Sequence, residues 1–303
     1  MPTYLGLDFG GTKLAAGLAD ETGRLLGFQR CPTDPESGPN GAIPAMRRLV
    51  ETFHSSSARP AGVGISFGGP VDLACRRTIL SHHGPGWEDF PLVERIADVW
   101  GCPVVMDNDA NAAALGEVRF GAGRGYGNVL YVTVSTGIGA GVILDGRLYR
   151  GSHGLSGELG HTIVLPDGPP CPCGKRGCVE AVASGPSIAR AYAEKVGIGP
   201  RDVSAEEVFR RAGEGDDLAR GVLYDAIRLL GIGLANAINV LDPDVVVVGG
   251  GVSRAGEALF GPLRDAVRSV CAPSPPGAVH IVPAELGDAV GVLGAVALVV
   301  DES

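Results

Sequence analysis

Short apolar runs alternate with longer amphipathic stretches along this chain, a rhythm that predicts an α/β protein. Strands are predicted at 5–8, 14–18, 62–66, 104–106, 129–134, 140–144 and 245–248, where apolar and β-branched residues are bounded by Gly, Pro or Asp. Helices are predicted at 43–53, 91–100, 110–120, 205–212, 218–241 and 289–300, where apolar positions recur at helical spacing. The apolar stretch 289–300 is shorter than the ~20 residues that cross a bilayer, so it reads as a buried helix.

One stretch of this pattern occurs twice. Leu5-Gly6-Leu7-Asp8-Phe9-Gly10-Gly11-Thr12 runs a strand into a turn of small residues and a second apolar run. Val132-Thr133-Val134-Ser135-Thr136-Gly137-Ile138-Gly139 does the same, and its second run ends in the hairpin dipeptide Asp145-Gly146. Two related domains, each offering a Gly/Thr turn to a shared cleft, would produce this echo. So would a chance likeness of two β-hairpins.

Length supports two domains, because 303 residues exceed the ~100–200 typical of one. With 45% hydrophobic and 19% charged residues the chain has apolar material for a substantial core. The formal charge of −9, from 34 acidic and 25 basic residues without a dense Lys/Arg run, argues against nucleic acid as the main partner. Met1 to Asp8 carries no basic, apolar and cleavage regions of a secretory signal, which predicts a cytoplasmic protein with no membrane partner. A reducing compartment disfavours a disulfide framework for the seven cysteines. Cys31, Cys75, Cys102 and Cys271 are scattered, whereas Cys171, Cys173 and Cys178 crowd together as metal ligands do.

Four groups of residues carry candidate chemistry. Gly10-Gly11-Thr12 brings bare backbone N–H groups and a hydroxyl toward a phosphate, and Asp8 before it is a hard oxygen ligand suited to Mg²⁺. A plain hairpin turn explains the same residues, and with Lys13 directly after Thr12 they do not form a P-loop. In Asp107-Asn108-Asp109-Ala110-Asn111 a strand end meets a helix start. Asp109 there reads as a helix cap in isolation and, beside the other motifs, as the acceptor of a hydroxyl proton, with Asn108 binding hydroxyls. His161 with Cys171, Cys173 and Cys178 gives H-x9-C-x-C-x4-C, a complete set of four ligands for a structural Zn²⁺, against the alternative of a metal-free cysteine cluster. Glu158 and Glu180 bracket that loop, which would hold both carboxylates rigidly for a polyhydroxyl substrate. Finally, Gly249-Gly250-Gly251 between a buried strand and a helix offers backbone to a nucleotide, or is a tight turn only.

Together and in this order the motifs resemble the ROK family of sugar kinases and repressors, in particular its glucokinase branch. Cys171-Pro172-Cys173-Gly174-Lys175-Arg176-Gly177-Cys178-Val179-Glu180 matches the family signature C-x-C-G-x-x-G-C-x-E without a gap. The resemblance implies an actin-like ATPase (ribonuclease H-like) fold with two similar domains around a cleft. Their expected bounds are 1–118, completed by 289–303, and 119–288, carrying the zinc loop. It implies ATP, Mg²⁺ and a structural Zn²⁺, a hexose substrate and a homodimer. Residue by residue it makes Asp109 the catalytic base and Gly68, Gly69, Ser81, Asn108, Glu158, His161 and Glu180 the sugar contacts. Asp8, Gly10, Gly11, Thr12, Lys13, Thr136, Gly137, Gly250 and Gly251 become the nucleotide contacts. The helix-turn-helix of the repressor branch would precede a phosphate motif that here starts at Leu5, so no DNA reader is expected.

One segment departs from the family. Glucokinases of this kind read Ala-Pro-Asn-x-Pro-Gly-Trp where this chain has Ser81-His82-His83-Gly84-Pro85-Gly86-Trp87. The expectation is therefore transfer of the γ-phosphoryl group of ATP to the 6-hydroxyl of a glucose-type hexose. An amino-hexose such as kanosamine or an N-acetylhexosamine is the alternative acceptor, and a non-catalytic sugar sensor or a metal-binding redox or storage protein are alternatives of other classes.

Overall fold

The computed structural model describes residues 2–53, 59–74, 76–81, 84–272 and 280–302; Cys75, His82 and His83 lie outside them. The chain forms two compact units, one of Met1–Gly125, Gly141–Ser156 and Glu285–Ser303, the other of Tyr126–Ala140 and Gly157–Ala284. In chain order the elements are β1 Thr3–Phe9, β2 Lys13–Asp20, β3 Leu25–Pro32, α1 Gly38–Glu51, β4 Gly62–Phe67, β5 Val71–Asp72, β6 Arg77–Thr78, α2 Leu92–Trp100, β7 Val104–Asn108 and α3 Asp109–Phe120. They continue with β8 Val129–Val134, β9 Ile138–Leu144, β10 Arg147–Leu148, α4 Val179–Ala183, α5 Gly185–Val196, α6 Ala205–Gly213, α7 Asp217–Leu241, β11 Val245–Gly249, α8 Glu257–Val270, β12 His280–Pro283 and α9 Val290–Asp301.

The first sheet runs β3-β2-β1-β4-β7, with β1, β4 and β7 parallel and β2 and β3 antiparallel to their neighbours. Strand alternation sorts its residues onto two faces. Leu5, Leu7 and Phe9 of β1 and Val63, Ile65 and Phe67 of β4 pack with Met46 of α1, Leu92 and Ile96 of α2, and Trp87. On the opposite face β1 and β4 carry Gly6 and Gly64, and α9 rests on their bare backbone. A Cβ at Gly64 would lie 1.6 Å from the Ala295 carbonyl oxygen, and one at Gly6 2.2 Å from that of Val292. The same face ends at the carboxyl edge of the parallel strands in a row of polar residues, since Asp8 pairs with Ser66 and Ser66 with Asp107 across the register.

The second sheet has the order β10-β9-β8-β11-β12, with β8, β11 and β12 parallel. Both sheets therefore follow one winding rule, three strands in reverse sequence order and then two more. The duplicated motif is thus a likeness of topology, which chance similarity of two hairpins does not produce. Asp145 and Gly146 have φ of 49° and 72°, the pair of left-handed residues that a type I′ turn needs between β9 and β10. Around this sheet α7 packs against α4, α5, α6 and α8. By length and apolarity α7 equals a membrane span, but 61% of its most apolar window is buried within the fold, as in a core helix.

Several elements differ from the sequence pattern. Helix α1 begins at Gly38 instead of 43, because Pro39 sits in its first turn, where no backbone N–H partner is required. Strand β3 and helix α8 escape the pattern for physical reasons: β3 is a half-exposed edge strand of mixed polarity, and α8 contains Gly261-Pro262, which reads as a breaker.

Candidate active site

At the carboxyl edge of the first sheet the turn from β1 to β2 closes through Gly10 N–H donating to the Lys13 carbonyl at 3.1 Å. A Cβ on Gly10 would lie 2.9 Å from that carbonyl, so the tight turn requires glycine. Thr33, directly after β3, braces it, its hydroxyl donating to the Gly10 carbonyl at 2.8 Å and its N–H to the Thr12 carbonyl at 3.1 Å. The Thr12 side is exposed, and Lys13 Nζ reaches the Asp288 carbonyl at 3.4 Å. Asp8, buried at the end of β1, accepts the Ser66 hydroxyl at 2.8 Å. Burial pushes its carboxyl above the usual range, against the Ser66 hydrogen bond and the Lys13 charge.

Strand β7 passes directly into α3, and the cap of that helix is Asn108, whose Oδ1 accepts the Ala110 N–H at 2.9 Å and the Asn111 N–H at 3.4 Å. Asp109 stands in the first helical turn, its Oδ1 accepting the Ala110 N–H at 2.9 Å. The cap position that competed with catalysis for Asp109 is thus held by Asn108, and Asp109 shares only the Ala110 N–H with it. Burial, and then the charge of Asp8, push the Asp109 carboxyl up to about 7. Asn108 Nδ2 donates to the Gly69 carbonyl at 3.2 Å, which ties the Gly68-Gly69 turn to the same edge. There a Cβ on Gly69 would meet the Leu80 carbonyl at 2.6 Å. Ser81 lines a cavity of about 240 Å³ together with Phe9, Gly10, Phe67 and Trp87.

Three residues to which the motifs gave no role complete this group. Asp107, 1% exposed, accepts Arg150 Nε at 2.6 Å and Asn111 Nδ2 at 2.9 Å. Asn111 Oδ1 is buried without a hydrogen-bond partner among the described residues. No local spacing relates Arg150 to Asp107, so only the run Asp107 to Asn111 carried a sequence signal.

In the second unit the turn between β8 and β9 is closed by Ser135 N–H donating to the Gly137 carbonyl at 2.9 Å, with Thr136 at its tip. Gly250, at φ 86°, lies against it, since a Cβ there would meet the Val134 carbonyl oxygen at 2.4 Å; Gly251 follows, its Cβ position 3.8 Å from Ser135 Oγ. Glu180, in the first turn of α4, accepts the Ile138 N–H at 2.9 Å. Glu158 precedes a short 3-10 turn, Leu159–His161, and its carboxylate lies 3.8 Å from His161 Nε2.

The other nitrogen of His161 faces the cysteines. Nδ1 is 3.7 Å from Cys171 Sγ, Cys173 Sγ is 3.6 Å from Cys178 Sγ, and the four donor atoms lie within 4.8 Å of one another. Tetrahedral zinc with bonds of ~2.0–2.3 Å places its ligand atoms about 3.5–3.8 Å apart, so the donor set and its spacing suit Zn²⁺. Gly174 and Gly177 turn the loop at φ 83° and 69°, and Cys171 N–H donates to the Lys175 carbonyl at 2.8 Å, folding the sulfurs inward. Burial pushes the Cys171 thiol up to about 12, a group that a bound cation would hold ionised.

The sequence profile of the ROK family matches residues 4–302. The chain is 38% identical to the glucokinase of Thermotoga maritima over 97% of its own length and 96% of that protein. It is 36% identical to the N-acetylmannosamine kinase of Salmonella typhi over 84% of each chain. Among solved structures, a ROK family glucokinase from Streptomyces griseus in complex with glucose and AMPPNP superposes with a TM-score of 0.84 at 34% identity, covering 97% of both chains.

Proposed function

The chain belongs to the ROK family and has its actin-like ATPase fold, and on that premise we propose that it is a glucokinase-type enzyme, an ATP-dependent kinase of the 6-hydroxyl of glucose. The observation that carries this reading is Asp109. It stands in the first turn of α3, directly after the strand end that carries Asp107, with Asn108 in the cap position, and is raised to about 7, where a carboxylate accepts a hydroxyl proton near neutral pH. Phosphoryl transfer asks mainly for positioning and charge neutralisation, so a positioned base at the sheet edge that also carries the Gly10-Gly11-Thr12 turn is the expected equipment.

In this reading Asp109 takes the 6-hydroxyl proton as that oxygen bonds to the γ-phosphorus, while the bond from the γ-phosphorus to the β,γ-bridging oxygen breaks and ADP leaves. Gly68, Gly69, Ser81, Asn108, Glu158, His161 and Glu180 orient the hexose, while Gly10, Gly11, Thr12, Lys13, Thr136, Gly137, Gly250 and Gly251 bind the nucleotide. Asp8 is the residue that would hold Mg²⁺, which neutralises phosphate charge when bound. His161, Cys171, Cys173 and Cys178 would hold one structural Zn²⁺ that fixes Glu158 and Glu180 in place. The family reading extends to a homodimer acting in the cytoplasm.

An ADP-release assay over a panel of hexoses tests the activity. Glucose turnover by the wild type, lowered ~10²–10⁴-fold in kcat by Asp109→Asn with glucose affinity kept, supports the proposal. Near-normal kcat in that variant refutes the base assignment. The likeness to N-acetylmannosamine kinase, and Ser81 in place of the family alanine, favour N-acetylhexosamines as the second acceptor class, and a higher kcat/KM for one of them than for glucose would replace the glucose reading.

A further inference from the structure

The carboxylate of Glu180 lies against the turn between β8 and β9. Its Oε2 accepts the Ile138 N–H at 2.9 Å, and a Cβ built on Gly137 would come 2.6 Å from the same oxygen. The backbone around Glu180 is held as well. Val179 N–H donates to the Thr162 carbonyl at 3.0 Å, the Ser187 hydroxyl to the Glu180 carbonyl at 2.8 Å, and Gly185 N–H to the Ser135 carbonyl at 2.9 Å. The side chain is therefore tied to the turn, and its backbone to the elements around it. A carboxylate offers about four acceptor positions, and Ile138 uses one of them.

Resting on the reading above, in which Glu180 contacts the hexose and Thr136 and Gly137 the phosphates, we infer that Glu180 is also a positioning residue for the phosphate turn, so that a single side chain couples the hexose to the nucleotide. The hydrogen bond to Ile138 fixes the plane of the peptide that joins it to Gly137. Glycine has the most backbone freedom to lose, so a turn already held presents its N–H groups to phosphate at a smaller entropic cost. A hexose hydroxyl donating to the free oxygen restrains the same carboxylate, and by linkage the nucleotide strengthens hexose binding by the same factor.

The test is calorimetric titration of the full-length, metal-containing chain, with AMPPNP and Mg²⁺ in the absence of sugar and with glucose in the absence of nucleotide. Glu180→Ala is expected to weaken both, AMPPNP by ~10-fold for one lost hydrogen bond to a charged group. Glu180→Gln keeps an oxygen for the Ile138 N–H, so AMPPNP binding returns toward wild type while glucose binding stays weak. Gly137→Ala pushes the carboxylate aside and is expected to weaken glucose ~10-fold, although it removes no atom from the hexose. If Glu180→Ala weakens glucose and leaves AMPPNP unchanged, or if Glu180→Gln binds AMPPNP as poorly as Glu180→Ala, the inference fails and the hexose assignment stands. Unchanged glucose affinity in all three variants instead overturns the hexose assignment.

Discussion

Arg150 Nε donates to Asp107 Oδ2 at 2.6 Å, joining the loop after β10 to the last turn of strand before Asn108 and Asp109. Asp107 is 1% exposed and Arg150 34%, so the carboxylate depends on this partner far more than the guanidinium does. Two further donors, the Asn108 N–H at 2.7 Å and Asn111 Nδ2 at 2.9 Å, complete the shell of Asp107.

Replacing Arg150 by Met is therefore expected to leave a buried carboxylate short of its counter-charge. Breaking a fully buried pair costs ~3–5 kcal/mol, and the partial exposure of Arg150 brings the expected loss to about 2 kcal/mol, measured by urea unfolding. Because Asp107 sits two residues before the base, kcat is expected to fall by about tenfold as the strand end relaxes. Arg150→Lys restores charge without the fork and is expected to recover part of both losses. Wild-type stability in Arg150→Met would show that the pair is ornamental.

The raised carboxyl of Asp109 gives two linked expectations. Activity rises with pH through about 7 as the base ionises, and Asp109→Asn, which cannot ionise, has no such limb. Stability runs in the opposite direction. Between 3.8 and about 7 the folded chain keeps a proton that the unfolded chain has released, so this group's contribution to stability falls as pH rises across that window. Asp109→Asn is accordingly expected to have a higher Tm than wild type at pH 8, with the difference shrinking toward pH 4. A lower Tm for the variant at pH 8 would contradict the assignment.

Zinc analysis of protein purified without chelator is expected to give about one ion per chain. Stripping it under denaturant-free conditions should lower Tm and slow refolding, because metal binding is part of the folding energy of a structural zinc loop. Full thermal stability with no metal present would favour a metal-free cysteine cluster.

The seat of α9 on Gly64 offers a further structural test. A Cβ there would lie 1.6 Å from the Ala295 carbonyl oxygen, which is backbone and cannot turn away. Gly64→Ala is expected to cost about 3 kcal/mol or more, since α9 must lift off the sheet. Equilibrium unfolding within 1 kcal/mol of wild type would show that the helix shifts at little cost.

What the sequence determined by itself is local. Strand and helix rhythm, the Gly/Thr turns at Gly10 to Thr12 and Ser135 to Gly137, the Asp145-Gly146 hairpin and the ligand spacing of Cys171, Cys173 and Cys178 depend on neighbours a few residues away, so residue type and spacing suffice to read them. The repeated motif left two related domains and a chance likeness of hairpins open, and the matching strand orders of the two sheets decided between them. Tertiary structure decided the rest. The capping role of Asn108 over Asp109 depends on backbone dihedrals at one peptide, which composition does not encode. The Arg150 to Asp107 pair spans 43 residues, the Glu180 to Ile138 bond 42, and α9 returns from the far end of the chain to lie on β1 and β4. Partners at such separations leave no periodic trace in a single sequence, since their meeting is set by the packing of the sheets and helices that carry them and not by the residues beside them.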